Sequence, residues 1–437
     1  MAEYIEPKVL KGFRDFLPPA EMVRRDLMEK IENSFRSFGF VPIDTPALEY
    51  AEILLGKGGG ETEKQIYRFT DNGERDVALR FDLTVPFARF VALHRAELSF
   101  PFKRYHIGKA WRGENTQRGR YREFIQCDFD IIGSESAACD FEILLLIRAA
   151  LLDLGLDFTI HVNHRGLFNR FLLHIGLQEK STEILRAVDK LSKVGREETL
   201  KSLAELADAD KAQKILDFIS AGGDFLQTLD RITEMSGGPC AESQRLNSLW
   251  KFMSDAFIDE AGGAPFVLDP SITRGLDYYT GVVFETFLNE LPEIGSVCSG
   301  GRYDNLCALY SKDKDSMCGV GASIGLDRLI AALENLGKLP DTNRCHAAIA
   351  CVNEEHSGLY QALAQKLRKQ GVFCEVFSEQ GGEKQLVKQF VLAEKRGMCY
   401  VLIPGKNPLK DPVTLRDIAA RQNIELSLEQ AIEKIKT

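Results

Sequence analysis

No apolar run in this chain reaches the roughly 18 residues that a membrane-crossing helix needs. Residues 1–10 carry two Glu and no apolar block, a pattern that does not read as a secretory signal. Ten Cys are scattered from Cys127 to Cys399 without one C-x-x-C pair. That spacing argues against the common zinc and thiol-redox motifs and fits free thiols buried in a reducing cytosol. The seven His show no H-E-x-x-H or zinc-finger spacing, and His161 and His164, three apart, are too isolated for a metal site. Internal repeats and low-complexity tracts are lacking too. So is an excess of positive charge: the chain carries −9, which argues against a large basic footprint for a polyanion. The charge is unevenly spread, with +2 from Cys345 onward and −11 before it, so the C-terminal segment is the better candidate for a nucleic-acid contact.

What is present is the composition of a soluble globular protein, 437 residues at 44% hydrophobic and 27% charged, long enough for two or three domains. Met22, Leu27, Ile31, Phe35 and Phe38 recur at helical spacing and predict a helix over residues 21–38, ended by Gly39 and followed by a strand at 40–43. Short β-type runs follow at 66–69, 77–80 and 102–107. Residues 110–112 and 122–132 bracket a polar loop and read as an antiparallel hairpin with a long turn. A helix is expected at 140–154 and a strand at 157–163. Leu, Lys, Glu and Ala at helical spacing then mark a helical insertion out to about residue 254. Strand patterns return at 281–287 and around the Gly-rich Ser299-Gly300-Gly301, and residues 319–336 read as strand, turn and helix. Beyond a linker at 337–343 that contains Pro340, β and α alternate, predicting a separate α/β domain with a largely parallel sheet.

Three places carry residues that could do chemistry. The first is the hairpin, with Arg112-Gly113-Glu114 before the turn and Arg118, Arg120 and Arg122 after it. Those arginines are either a solvated edge or a phosphate clamp, a task for which the planar, permanently charged guanidinium is suited. Phe124 offers a flat surface for a base. Gln126, Asp128 and Asp130 share its face by the period of two, and so outline either a polar pocket or a wet face. The second is Arg274-Gly275-Leu276-Asp277-Tyr278-Tyr279, too polar for a core strand but compatible with a turn. The third is Gly321-Ala322-Ser323-Ile324-Gly325-Leu326-Asp327-Arg328, whose small residues permit close approach of a ligand or a neighbouring strand. Its G-x-S-x-G spacing alone would also be read as a hydrolase elbow.

In this order the three places resemble the motifs of class II aminoacyl-tRNA synthetases. Residues 22–46, with Gly39, Pro42 and Pro46, look like motif 1, the dimer-forming helix and strand. Residues 104–132, with Arg112-x-Glu114 and Arg122-Glu123-Phe124, look like motif 2. Residues 319–336, with Arg328, look like motif 3. Arg274 to Tyr279 and Ser299-Gly300-Gly301-Arg302-Tyr303-Asp304 are similar to stretches specific to the histidyl-tRNA synthetase family, as are Lys11 to Asp15 and Asn163-His164-Arg165. The resemblance spans essentially the whole chain. It implies an α+β catalytic core, an antiparallel sheet flanked by helices, over residues 1–343, with a helical insertion at about 175–254. An α/β anticodon-binding domain is implied over 344–437.

The resemblance also implies the reaction: histidine attacks the α-phosphate of ATP to form histidyl-adenylate, and the terminal ribose of tRNA(His) then takes the histidyl group. Arg112 would bridge carboxylate and α-phosphate, and Arg274 would stabilise the charge developing there. Glu114, Arg120, Phe124 and Arg328 would hold the nucleotide, with Mg²⁺ on its β- and γ-phosphates. Asp82, Thr84, Gln126 and Asp130 would surround the α-ammonium, while Tyr278 and Tyr279 line the imidazole. The partners implied are tRNA(His), L-histidine, ATP and a second copy of the chain through motif 1, in the cytoplasm and away from membranes. Where many bacterial members carry Glu-Gly-Thr, this chain has Asp82-Leu83-Thr84. A silent regulatory paralogue that partners ATP phosphoribosyltransferase would generally lack the C-terminal domain and parts of the 274–279 stretch. A threonine or proline enzyme would lack Arg274-Gly-Leu-Asp-Tyr-Tyr, and an RNA-sensing domain fused to a kinase would need kinase motifs that are not here.

Overall fold

The computed structural model describes residues 4–436 apart from 57–62, 64, 190, 221, 259–265, 273–278, 312–316, 341–346 and 379–382. The chain divides into two compact units, Met1–Pro340 and Asp341–Thr437.

In the first unit, the helix Pro18–Ser37 opens on a proline at its first turn, where no N–H is missed, and buries Leu27, Ile31 and Phe35 along one stripe. It delivers the chain to β1 (Val41–Pro42), which is followed by β2 (Leu48–Tyr50), β3 (Arg68–Thr70) and β4 (Asp76–Leu79). Then come β5 (Phe102–Trp111), β6 (Glu123–Ile132), β7 (Phe158–His164), β8 (Phe266–Leu268), β9 (Val282–Leu288), β10 (Cys298–Tyr303) and β11 (Gly319–Gly325). Among the described residues, eight of these form one sheet in the order β1-β5-β6-β11-β10-β9-β7-β8, and β2-β4-β3 form a small second sheet. The main sheet is antiparallel through its centre, with parallel pairs only at its two edges, β1 on β5 and β8 on β7. The β5–β6 hairpin is paired without a break from Phe102↔Ile132 to Trp111↔Glu123.

One face of the sheet is dry. Phe35 packs on Phe129 with ring centroids 4.8 Å apart, and Ile143, Ile147 and Leu151 of the helix Ala137–Leu152 close the same core. Small residues bring the central strands together. A Cβ on Gly321 would stand 2.0 Å from Asp130 Oδ1, and one on Gly300 would stand 2.0 Å from the Gly321 carbonyl oxygen, so neither position tolerates a side chain without movement. Between β7 and β8 the chain runs almost entirely in helices, from Ser181–Asp189 to Ala241–Ala256. Their apolar faces join the sheet's core through Phe218, stacked 4.3 Å from Phe171.

The second unit has β12 (Ala347–Ile349), β13 (Cys374–Val376), β14 (Tyr400–Ile403), β15 (Val413–Asp417) and β16 (Gln422–Leu426) in the order β13-β12-β14-β15-β16. The first three are parallel, as the βα alternation predicts. The antiparallel hairpin β15–β16 extends the sheet. The βα alternation predicts a largely parallel sheet and gives no sign of this hairpin, whose short strands mix Val413 and Leu415 with charged residues (Arg416, Asp417, Glu425). No described helix in either unit is long and apolar enough to cross a membrane.

Candidate active site

The other face of the main sheet is the floor of a cleft of about 1000 Å³ in the first unit. Its two ends differ.

The deeper end is anionic and buried. The small sheet leads through Phe81 to Asp82, and the chain turns directly into the helix Thr84–Leu93. This junction points Asp82 into the cleft while leaving it only 2% exposed. Its Oδ1 accepts from the Val85 N–H at 3.1 Å, whereas its buried Oδ2 has no partner among the described residues. On β6, Gln126 and Asp130 also line the cleft, with Asp128 between them in the sequence. Gln126 Nε2 donates to Ser323 Oγ of β11 at 2.9 Å and to Asp128 Oδ1 at 3.4 Å, and its own Oε1 is buried without a partner among the described residues. Asp130 Oδ1 accepts from the Tyr303 hydroxyl at 2.7 Å, and its Oδ2 lies 2.6 Å from the fully buried Arg104 guanidinium. That guanidinium in turn sits over the Phe87 ring. Burial raises all three carboxyls, Asp82 to about 6, Asp128 to about 7 and Asp130 in the same direction, because an ionised oxygen loses its water there. Arg104 pulls Asp128 and Asp130 back, and Arg112 and Arg104 do the same for Asp82. Tyr279 lines this end from above, 7% exposed.

The wider end is cationic and half-exposed. Arg112 follows the last residue of β5, donates from Nε to the Phe81 carbonyl at 3.0 Å, and holds its guanidinium carbon 5.1 Å from the centre of the Phe124 ring. The loop after it carries Glu114 and Arg120, and folds back with Gly119 at φ +71°, where a Cβ would sit 3.2 Å from the Arg328 Cα. Glycine there lets the loop lie on the start of the helix Leu326–Leu336, so Arg120 and Arg328 meet the same space from two elements. Arg328 donates to the Ser296 carbonyl. Asp327 accepts from the Ile125 N–H at 2.8 Å and pairs with Arg14, which stacks on Tyr121, so the helix start, β6 and the N-terminal segment are locked together.

An anionic pocket with two unpartnered acceptors, joined to an arginine-lined space beside an aromatic ring, can hold an amino group and a polyphosphate next to each other. The histidyl-tRNA synthetase family profile matches residues 12–329. The chain belongs to the histidyl-tRNA synthetase family. A profile described as anticodon binding domain matches residues 346–437. The histidine–tRNA ligase of Treponema denticola is 51% identical over all of this chain and 99% of its own length. That of Rhodopirellula baltica is 45% identical over 97% of this chain and 96% of its own. The crystal structure of histidyl-tRNA synthetase from Nostoc sp. PCC 7120 superposes with a TM-score of 0.85 at 30% identity, covering 99% of each chain.

Ten of the twelve residues singled out from the histidyl-tRNA synthetase motifs line the one cleft: Asp82, Thr84, Arg112, Glu114, Arg120, Phe124, Gln126, Asp130, Tyr279 and Arg328. Arg274 and Tyr278 lie outside the described residues. Two supporting residues were not read from the sequence. Arg104 lies in a run expected only to be a short strand, residues 102–107, where Lys103 and His106 stand beside it and nothing sets it apart as a buried counter-charge. Tyr303 was quoted within a motif but without a task, and its hydroxyl turns out to hold Asp130. The cleft also continues along β7 and β9 to His161, which pairs with Asp269 at 2.7 Å.

Proposed function

We infer that this chain joins L-histidine to tRNA(His) through a histidyl-adenylate, consuming ATP and releasing AMP and pyrophosphate. The two buried acceptors without a partner among the described residues, Asp82 Oδ2 and Gln126 Oε1, support this most directly. A buried acceptor left unpaired costs about 1–3 kcal/mol, so a pocket that keeps two is shaped for a ligand with donors, and the α-ammonium of an amino acid has three. Asp130 would supply further negative charge, Thr84 a hydroxyl, and Tyr279 a wall for the imidazole, a task its motif also assigns to Tyr278.

Both reactants of the first step are anions, so the cleft must cancel charge and hold the attacking oxygen in line with the α-phosphate. Arg112, with its Nε on the Phe81 carbonyl beside Asp82 and its guanidinium near Phe124, would bridge the carboxylate and the α-phosphate. Arg274 is assigned the second catalytic role from its motif. Phe124 and Arg328 would enclose the adenine, by stacking and cation–π contact. Glu114 would meet its amino group, and Arg120 the γ-phosphate end. Mg²⁺ enters with ATP, as part of the nucleotide substrate. In the second step the ribose hydroxyl attacks the adenylate carbonyl and the leaving phosphate accepts its proton.

The second unit would bind the anticodon. A homodimer would form through motif 1, where the two-residue edge strand β1 exposes Val41, and the small sheet that follows adds exposed Leu48, Tyr50 and Phe69 as apolar surface for a second copy. The cytoplasm, which holds tRNA and ATP together, is the proposed location. ATP–pyrophosphate exchange measured with each of the twenty amino acids tests the first step. Exchange is expected with histidine alone. Folded protein that exchanges with none, or with a different amino acid, would overturn the assignment.

A further inference from the structure

Asp128 lies one strand-repeat from both Gln126 and Asp130, is 1% exposed, and has no part in the roles assigned above. Three polar neighbours turn toward it. Gln126 Nε2 is 3.4 Å from Oδ1, the Thr84 hydroxyl is 3.5 Å from Oδ2, and the hydroxyl of Ser323, the cross-strand partner of Asp128, acts on the carboxylate as a donor that favours its ionised form. The first two contacts are long, so their worth lies in direction more than strength. Together they decide the amide's orientation. With Nε2 donating to Ser323 Oγ and Asp128, both amide hydrogens are used and Oε1 is left for the cleft. Turned the other way, Oε1 would face the Asp128 carboxylate oxygen and repel it, and a second set of N–H donors would face the ligand's ammonium.

We infer that Asp128 is a positioning residue that sets which way the Gln126 amide and the Thr84 hydroxyl face, and so how tightly the amino group of histidine is held. This rests on the assignment of the buried end to histidine. Only the ionised carboxylate can accept from all three donors at once. The groups around it are Arg104 and His106 on β5, Arg80 beyond β4, Asp82, Cys127 and Asp130. Burial, with Arg104 and Arg80, holds the His106 imidazole down at about 3, so it stays neutral at working pH. Asp128 itself is raised to about 7 by burial, with Asp130 and Asp82 adding to the rise against Arg104 and Ser323. Below that pH its own proton needs an acceptor, Thr84 or Ser323 must turn to provide one, and the pocket loses the arrangement that presents Oε1.

The test compares wild type with Asp128→Asn in ATP–pyrophosphate exchange from pH 6 to 8.5, with Michaelis constants for histidine and for ATP. At pH 8 the variant's KM for histidine is expected to rise about tenfold, the worth of one well-placed hydrogen bond to a charged group, with KM for ATP within about twofold. The ratio of the two histidine KM values should shrink toward one as pH falls to 6, where wild-type Asp128 is also neutral. The substrate's own imidazole titrates equally in both assays and cancels in that ratio. A ratio near one at every pH, or equal changes in both Michaelis constants, would overturn the proposal. Wild type that shows no histidine-dependent exchange at all would instead overturn the histidine assignment beneath it. Melting curves at pH 8 guard against a folding artefact. Should Asp128→Asn fail to fold, Ser323→Ala removes one of the three donors. It is expected to raise KM for histidine about threefold with KM for ATP unchanged, and no change in either would overturn the proposal.

Discussion

The two ends of the cleft are made of different material. Asp82, Gln126 and Asp130 are all less than a tenth exposed, sit on a strand or at a strand–helix junction, and are short side chains fixed by partners on neighbouring elements. Arg112, Glu114, Arg120 and Arg328 are half-buried and come from a strand end, a loop and a helix start. On the proposed assignment, a small ligand with donors in fixed directions is met by acceptors that cannot move, and discrimination follows because a wrong ligand leaves them unpaired. The triphosphate, larger and of high charge, is met by long arms whose charge no pH change removes. The buried end has a cost that the half-exposed end escapes: its carboxyls are forced toward neutrality by burial, and Arg104 offsets this beneath them.

That contrast predicts different failures at the two ends. Arg112 joins them, so Arg112→Ala should show the largest effect, a fall of about 10³-fold in the rate of adenylate formation, the scale seen when a donor aimed at developing charge is removed. Single-turnover formation of adenylate measures it directly. A loss confined to KM for ATP would make Arg112 a nucleotide-holding group and move the bridge elsewhere. Asp82→Asn should come next and should separate the ends. KM for histidine is expected to rise about 10- to 100-fold through the loss of a charged acceptor, while KM for ATP holds. Equal changes in both constants would mean that the two ends are not separate sites.

The same contrast explains what could be read from the chain. The face shared by Phe124, Gln126, Asp128 and Asp130 follows from the period of two, and the structure places all four on one strand as the pattern requires. The arginines were visible because three in five residues is rare and because Arg112-x-Glu114 matches a family motif. The support beneath the pocket was not visible. Arg104 meets Asp130 only because β5 and β6 pair in one register, and Tyr303 reaches the same carboxylate from a strand 173 residues away. No local pattern encodes such a meeting. The small sheet that aims Asp82 was half-legible: its strands were expected at 66–69 and 77–80, but β2 is three residues long and too short to show a period. The β15–β16 hairpin was not expected either: β15 buries only Val413 and Leu415, and the remaining positions of the two five-residue strands are polar or partly exposed, too little apolar pattern to mark a hairpin.

The smallest expected effect concerns stability against pH, and it needs a difference measurement because the buried groups oppose one another. An acid held high in the fold, such as Asp82 at about 6 or Asp128 at about 7, keeps a proton that the unfolded chain has shed. Between about pH 4 and those values stability therefore falls as pH rises. A base held low does the reverse. His106 at about 3 and His164 at about 4 stay neutral while the unfolded chain is protonated, so stability rises with pH up to the ordinary histidine value of about 6.5. The melting temperature of wild type should thus change little across pH 4 to 6.5, although the parts are not still. The melting temperature of Asp128→Asn minus that of wild type should be near zero at pH 4, climb through pH 5 to 7, and level off above it. His164→Asn should give a difference of opposite slope, highest at low pH and vanishing near neutrality. If the Asp128→Asn difference is flat, its carboxyl is hydrated more than its burial implies, and the rigid end is wetter than the contrast with the arginine end requires.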